Sequence, residues 1–147
     1  MNITEFCKNK LVDFILRGQS FTPPATFYYA LTVTTPTDAV AGQEVVGGSY
    51  SRVAYTNSLA NWAGTQGAGT TTASTGVGGS TSNNASITFP APTPPTDWGQ
   101  VVAWEAWDSL IGGNRWMWGV LDNPKSVSAG DQAPEITPGK IVHTFGG

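Results

Sequence analysis

The hydrophobic pattern at the start of the chain predicts one amphipathic helix. Apolar residues recur there at helical spacing and share one stripe, which consists of Ile3, Cys7, Leu11 and Phe14, widened by Phe6 and Ile15. Thr4 is a suitable N-cap, and Arg17 followed by Gly18 marks the end of the helix. We therefore expect an N-terminal helix or arm over residues 1–18, packed either on its own domain or partly on a neighbouring subunit.

Beyond Gly18 the pattern changes from helical spacing to short strand-like runs. Pro23-Pro24 stops the helix, and the following runs are rich in β-branched and aromatic residues, with turn signals between them. The predicted strands cover residues 27–33, 50–56, 85–89, 100–108, 115–121 and 140–145. Short strands with turn-rich connections are typical of an antiparallel β-sandwich or jelly roll. The prediction is a mainly β fold, with a sandwich domain over residues 19–147.

The fourth and fifth predicted strands form the clearest hairpin. Strict alternation places Trp116 and Trp118 on one face of its second strand, and Arg115 and Met117 on the other. Glu105 and Arg115 are candidates for an ion pair across the hairpin. Because both faces carry apolar residues, we expect a cover on each side, and the second cover is either the N-terminal helix or another subunit.

Residues 64–84 differ from the rest of the chain in composition. They contain Val77 as their one large apolar residue and are otherwise dominated by Gly, Thr, Ser and Ala. Two interpretations stay open: a long mobile loop, or an arm that becomes ordered when Thr70, Thr71 and Thr72 add to the sheet edge of a neighbour. The glycine run within this segment lacks the flanking strand and helix that a phosphate-binding loop requires.

Composition and charge exclude several classes of partner. Only 12% of the residues are charged and the net charge is −3, so we expect no nucleic-acid binding. No apolar stretch approaches the ~18 residues of a membrane span, and no signal-peptide pattern is present, so we expect synthesis in the cytosol and no membrane partner. Low charge weakens repulsion between copies, which suits a protein of a crowded assembly.

Few residues offer candidate chemistry. Cys7 is the single cysteine and falls on the apolar stripe, so we interpret it as a packed thiol. His143 is the single histidine and lies in a predicted strand, while the carboxylates are scattered among turns and strands. We therefore predict no catalytic, cofactor or metal site and no enzyme. The six Trp residues are interpreted as core and interface anchors rather than as a platform for glycans.

Five stretches, taken in order, carry a family resemblance. They are Arg-Gly-Gln-Ser-Phe-Thr-Pro-Pro at residues 17–24, Leu-Ala-Asn-Trp-Ala-Gly-Thr-Gln at 59–66, Thr-Phe-Pro-Ala-Pro at 88–92, Asp-Trp-Gly at 97–99 and Trp-Gly at 118–119. Their order and spacing resemble a family of small tailed-phage virion structural proteins whose members are usually named tail fibre proteins. That family is also similar to jelly-roll capsid cement and decoration proteins.

The resemblance implies a non-catalytic bacteriophage virion protein that acts through protein–protein contacts. Our first expectation is a capsid cement or decoration protein on the head surface, bound to the major capsid protein and to copies of itself as a dimer or trimer. The alternative is a tail fibre or tail-tip component involved in host attachment, for which a host glycan becomes a candidate partner. The residues predicted to lie at the interface are Phe6, Leu11, Phe14, Thr70, Thr71, Thr72 and Trp107.

Overall fold

The computed structural model describes residues 1–146, which form a mainly β protein with one helix. The elements are β1 (Asn2–Ile3), α1 (Glu5–Leu16), β2 (Thr26–Thr32), β3 (Val53–Thr56), β4 (Ser80–Ser82), β5 (Ile87–Thr88), β6 (Gly99–Trp107), β7 (Arg115–Val127), β8 (Glu135–Ile136) and β9 (Val142–Thr144). The mainly β architecture with an N-terminal helix confirms the predicted fold class.

The strands form one large antiparallel sheet and two small pairs. The large sheet has the order β1-β7-β6-β2-β3, and the pairs are β4-β9 and β5-β8. Ile87 of β5 and Ile141 beside β9 share a core cluster with Leu31 and Trp104 of the large sheet. The small pairs thus pack over one face of the large sheet, in agreement with a β-sandwich.

The helix begins and ends where its capping signals predict. Thr4 accepts a hydrogen bond from the N–H of Cys7 at 3.2 Å, and Gly18 follows the helix with φ +66°. Thr4 also ties the helix to the large sheet, because its own N–H donates to the carbonyl of Trp116 at 3.0 Å. The two residues of β1, which sequence reasoning missed, pair with β7 just before the helix. The helix therefore packs on its own domain.

The strands of the hairpin and β2 lie close to their predicted positions, whereas the others differ. β7 runs six residues past the predicted end at position 121, as far as Val127, and passes through Pro124. The predicted strands at 50–56, 85–89 and 140–145 shrink to two to four residues each. β1, β4 and β8 have two or three residues, too few for a period-two pattern to show, and they form only because a partner strand lies beside them.

A β-bulge in β7 overturns the predicted faces of this strand. Ala106 pairs with Met117 but Trp107 pairs with Arg115, so Trp116 is an extra residue. The Trp116 ring packs against aromatic rings of the helix and of β2, whereas Trp118 donates to Asp38 on the opposite face. The expectation that Trp116 and Trp118 share a face is therefore wrong, because one inserted residue shifts the alternation.

The second face of the hairpin is covered by the connection between β2 and β3. Glu105 and Arg115 are both buried and form the predicted ion pair, with 2.8 Å between Oε1 and Nη1. From the connection, the N–H of Gly42 donates to Glu105 Oε1 at 2.9 Å, and the carbonyl of Thr37 accepts from Arg115 Nη2 at 2.6 Å. The cover at this ion pair is thus neither the helix nor another subunit, but a segment that brings backbone groups to two buried charges.

Candidate interaction surfaces

The three predicted interface residues of the helix differ in exposure. Phe6 is half-buried, with its ring edge-on to Trp116 at 5.2 Å between centroids. Leu11 is also half-buried and packs against the core cluster. Phe14 remains 52% exposed although it touches Phe21 at 5.4 Å. Phe6 and Leu11 therefore serve the interior of this domain, and only Phe14 offers a substantial apolar surface to a partner.

The C-terminal half of the helix carries four exposed apolar side chains, Val12, Phe14, Ile15 and Leu16, which we call the helix patch. Ile15 is 68% exposed and Leu16 is 77% exposed. Ile15 widens the apolar stripe but is not covered by this domain. The large sheet contacts the helix mainly through its N-terminal half, because Thr4 and Cys7 are the buried positions. The C-terminal half extends past this contact and leaves its apolar side chains in solvent.

Trp107 is held by charged neighbours of its own chain. The guanidinium of Arg52 lies 4.3 Å from the centroid of its ring, and its Nε1 donates to Glu105 Oε2 at 3.2 Å. Arg52 is fixed in turn by Glu44, which accepts from Nε at 2.9 Å and from Nη2 at 2.8 Å. Trp107 therefore anchors an internal network, and sequence reasoning missed Arg52 because Trp107 is distant from it in the chain.

The Thr70–Thr72 segment belongs to a loop that hydrogen-bonds to itself. The N–H of Gly64 donates to Thr70 Oγ1 at 2.9 Å, and Gln66 Nε2 donates to Thr72 Oγ1 at 2.9 Å. Thr71 is exposed. In this structure the segment is folded back on its own domain rather than extended. The predicted interface residues of the helix, Trp107 and the three threonines therefore lie in three separate places with different contacts. The addition of this segment to a neighbour's sheet stays a prediction.

A charged cluster fixes the β2–β3 connection above the sheet. Lys8 Nζ lies 2.6 Å from Asp38 Oδ2, and Trp118 Nε1 donates to Asp38 Oδ1 at 2.9 Å. The hydrogen bond from Lys8, followed by the bond from Trp118, lowers the pKa of Asp38. Together with Glu105 and Arg115, these side chains form ion pairs and hydrogen bonds that hold the β2–β3 connection in place.

His143 lies in an aromatic cage within the core. It is 3% exposed, its Nε2 is 3.5 Å from the hydroxyl oxygen of Tyr29, and the rings of Trp62 and Trp104 lie 5.0 and 5.6 Å away. Burial lowers its pKa to about 3. Within residues 1–146 its side chain makes no hydrogen bond to a carboxylate, and Nδ1 has no hydrogen-bond partner. This arrangement does not provide the orienting carboxylate of a catalytic triad.

A cleft of 340 Å³ opens between β7 and the segment around β8. Buried core residues, among them Leu31, Phe89 and Trp104, form its floor. Val120 of β7 and Ile136 of β8 form its partly exposed walls. Four charged side chains also line the cleft: Asp122, Lys125, Glu135 and Lys140. Sequence reasoning missed this cleft because its walls come from segments that meet only in the folded chain.

Other kinds of site have little support in the described part of the chain. Residues 1–146 contain no group of three or more His, Cys, Asp or Glu side chains placed to hold a metal ion. Burial raises the pKa of the Cys7 thiol, which is buried against the sheet as expected of a packed cysteine. Within the same range, the only helix is too short and too polar to span a bilayer. All six Trp residues are buried or half-buried.

Comparison with protein families identifies a relative of the chain. A family model described as Podophage GP4 fiber I protein gp80 matches residues 2–144. Among curated proteins, none matches the chain. The matched range includes the helix, the large sheet and both small strand pairs, so the likeness concerns the entire fold rather than one motif.

Proposed function

The chain belongs to the family of the podophage GP4 fiber I protein, and from this we propose that it is a tail fibre subunit that acts by binding neighbouring virion proteins. The observation that carries the proposal is the match over residues 2–144. A protein of this family is a structural component of the phage virion. The family description favours the tail fibre alternative over our first expectation of a capsid cement protein, because it names a fiber protein.

The disposition of the charged side chains supports a binding role rather than catalysis. Lys8, Arg52 and Arg115 are each paired with a carboxylate of the same chain. The partner carboxylates also accept hydrogen bonds from tryptophan, tyrosine or backbone donors. Groups that are satisfied in this way position loops and are poorly suited to exchange protons with a substrate.

Exposed apolar side chains supply the means of binding. The helix patch, Val77 and the β6–β7 turn residue Ile111 are well exposed. A specific interface buries about 800 Å² per partner, and its most favourable contacts are apolar anchors surrounded by polar groups. The three sites provide such anchors on a surface made polar mainly by hydroxyl and amide groups.

Fractionation of purified particles tests the location. Virions are separated into heads and tails, and the chain is quantified in each fraction by mass spectrometry against a major capsid protein standard. We expect it in the tail fraction, at a small number of copies per particle. Hundreds of copies in the head fraction would instead establish the cement role and contradict our proposal.

A particle assembled without the chain tests its task. We expect such particles to retain packaged DNA on heating as the wild type does, and to lose adsorption to host cells. Addition of the purified chain to these particles is expected to restore adsorption if the subunit docks late in assembly. Heads that leak DNA while adsorption is unchanged would contradict the tail proposal.

A further inference from the structure

Val77 is an isolated apolar knob at the tip of a polar loop. It is 93% exposed, the highest value for a large hydrophobic side chain within residues 1–146. Three of its near neighbours, Gly76, Gly78 and Gly79, have no side chain. The tip, residues 76–79, is a narrow apolar protrusion, because no adjacent side chain widens it.

The tip is held in place at both ends. The N–H of Gly76 donates to Thr65 Oγ1 at 3.0 Å, and the carbonyl of Gly79 accepts from the N–H of Phe145 at 2.9 Å. Gly78 and Gly79 have φ of +87° and +60°, which turn the chain back sharply. Val77 is therefore presented by an anchored turn, so little conformational entropy is lost when it is buried by a partner.

The cleft beside β7 is an opening with an apolar floor and a charged rim. Between Val101 and Ala103, β6 has one residue where β7 has four, residues 121–124, so the two strands separate locally. The separation opens the cleft of 340 Å³, whose floor is the hydrophobic core. An aliphatic side chain that enters this opening is removed from water and also covers core residues that the sandwich leaves accessible at this edge.

The outer edge of β7 next to the cleft lacks a strand partner. β1 pairs only with Met117 and Trp118, and within residues 1–146 no other strand pairs on that side of β7. Backbone N–H and C=O groups beyond Trp118 are therefore available to an incoming segment, except at Pro124, which has no N–H. Recognition at such an edge combines main-chain hydrogen bonds with a pocket for a side chain.

The absence of charge on the tip makes it compatible with the charged rim of this cleft. The rim carries Asp122 and Glu135 together with Lys125 and Lys140, two charges of each sign. Residues 64–83, which include the tip, contain no charged residue. A charged occupant would face at least two rim groups of its own sign, whereas an uncharged, glycine-rich tip faces none and leaves the rim side chains solvated.

We propose that the Val77 tip of one copy of this chain inserts into the β7 cleft of a second copy. The inference rests on the proposed function, since it names one of the contacts by which a fibre subunit associates. Knob and cleft are different surfaces, so the contact is heterologous. Repetition of a heterologous contact closes into a ring or continues as a row of subunits.

Sedimentation velocity of the purified full-length chain over a range of concentrations tests the contact. The wild type is expected to associate, and Val77→Ala to lower the association constant about tenfold, as expected for loss of a buried valine side chain. Val77→Asp places a charge in the cleft and is expected to yield a monomer. Because Val77 is almost fully exposed, these variants are expected to fold, which circular dichroism checks.

Val46→Asp is the matched control, since Val46 is 74% exposed and lies outside both the tip and the cleft. It is expected to associate like the wild type. A wild-type chain that stays monomeric throughout the range would overturn the inference, as would a Val77→Asp chain that still associates fully. Either result leaves the tail location untouched, because that location is measured on virions.

Cysteine pairing identifies the two surfaces directly. Val77→Cys and Val120→Cys chains are prepared separately, mixed, oxidised and resolved without reductant. We expect a mixed disulfide dimer in high yield, with little from Val46→Cys mixed with Val120→Cys. The native Cys7 is buried and does not compete. Equal yields of disulfide dimer from both mixtures would mean that the tip does not bind in the cleft.

Discussion

Single residues in this protein are constrained chiefly by how closely large rings pack. Gly119 of β7 lies directly beneath the indole of Trp104, and a Cβ at this position would come within 2.6 Å of ring atom Cζ2. The glycine is required for space, since its φ is not among the positive values. Likewise the protonation state of His143 is set by its surroundings, because aromatic rings pack around it and burial keeps the imidazole neutral.

Gly119→Ala is expected to destabilise the fold by about 1–3 kcal/mol, the usual result of adding a methyl group to a filled core. The cause is displacement of Trp104, whose ring packs 5.8 Å from that of Tyr29 between centroids. Urea unfolding followed by tryptophan fluorescence measures the change. Ser126→Ala, at an exposed position of the same strand, is the control. Equal stability of the two variants would show that Trp104 has room to shift.

Because the pKa of His143 is lowered by burial, the fold is expected to lose stability at mildly acidic pH. Its pKa is about 3 in the folded chain and about 6.5 when unfolded, so the unfolded state binds the proton first. The stabilisation is complete above pH 6.5 and declines as the pH falls toward 3, by at most about 1.4 kcal/mol per pH unit. Urea unfolding between pH 7 and pH 4.5 measures this slope.

His143→Phe keeps an aromatic ring and removes the titrating group, so the slope in this range is expected to flatten whatever the stability at pH 7. Asp38 also has a lowered pKa, but its contribution is lost only as the pH falls below the usual range of a carboxyl. A slope that persists in His143→Phe would assign the acid sensitivity to another group.

At the scale of elements, the β2–β3 connection supplies hydrogen bonds to the two buried charges of the large sheet. It has no regular secondary structure of its own between Thr32 and Val53. Its backbone groups complete the hydrogen bonds of Glu105 and Arg115 across one face of the hairpin. The buried ion pair and the connection thus stabilise each other, because neither charge is satisfied by the sheet alone.

Arg115→Met is expected to destabilise the fold by about 3–5 kcal/mol, because it leaves the Glu105 carboxylate buried without its cation. Amides of the connection, including Gly42, should lose hydrogen-exchange protection. The double variant Glu105→Gln/Arg115→Met removes both charges and is expected to be more stable than Arg115→Met alone. Chemical denaturation and exchange mass spectrometry measure both effects, and a double variant weaker than the single would refute this account.

At the scale of the whole molecule, the helix and β1 pack against the large sheet. Phe6 and Phe21 pack on Trp116, and the helix start is bonded to the backbone of β7. The N-terminal segment therefore covers the edge of the large sheet next to the bulge, and only its outer face is left for partners.

Deletion of residues 1–18 is expected to expose Trp116 and the edge of β7, with loss of cooperative unfolding and increased binding of a hydrophobic dye. Near-ultraviolet circular dichroism and thermal melting measure the result. The variant Ile15→Ser/Leu16→Ser, which changes only exposed positions of the helix patch, is the control and is expected to melt like the wild type. A truncated chain that melts normally would identify the segment as an arm after all.

Local signals in the sequence determined the helix with its caps, the mainly β class, the central hairpin and the ion pair between Glu105 and Arg115. Each depends on residues close in the chain or on the strong pattern of one hairpin. Six of the seven predicted interface residues fall on the helix and on the 64–84 loop, but their exposure differs, and only Phe14, Thr71 and Thr72 are exposed.

The tertiary structure alone decided which faces and edges are covered. One inserted residue reversed the faces of β7 around Trp116, and segments far apart in the chain supplied the contact of Arg52 with Trp107 and the cleft beside β7. Short strands such as β4 formed only against a partner. Burial depends on long-range packing, whereas caps and periodicity depend on neighbours, and for that reason the elements were predictable and the surfaces were not.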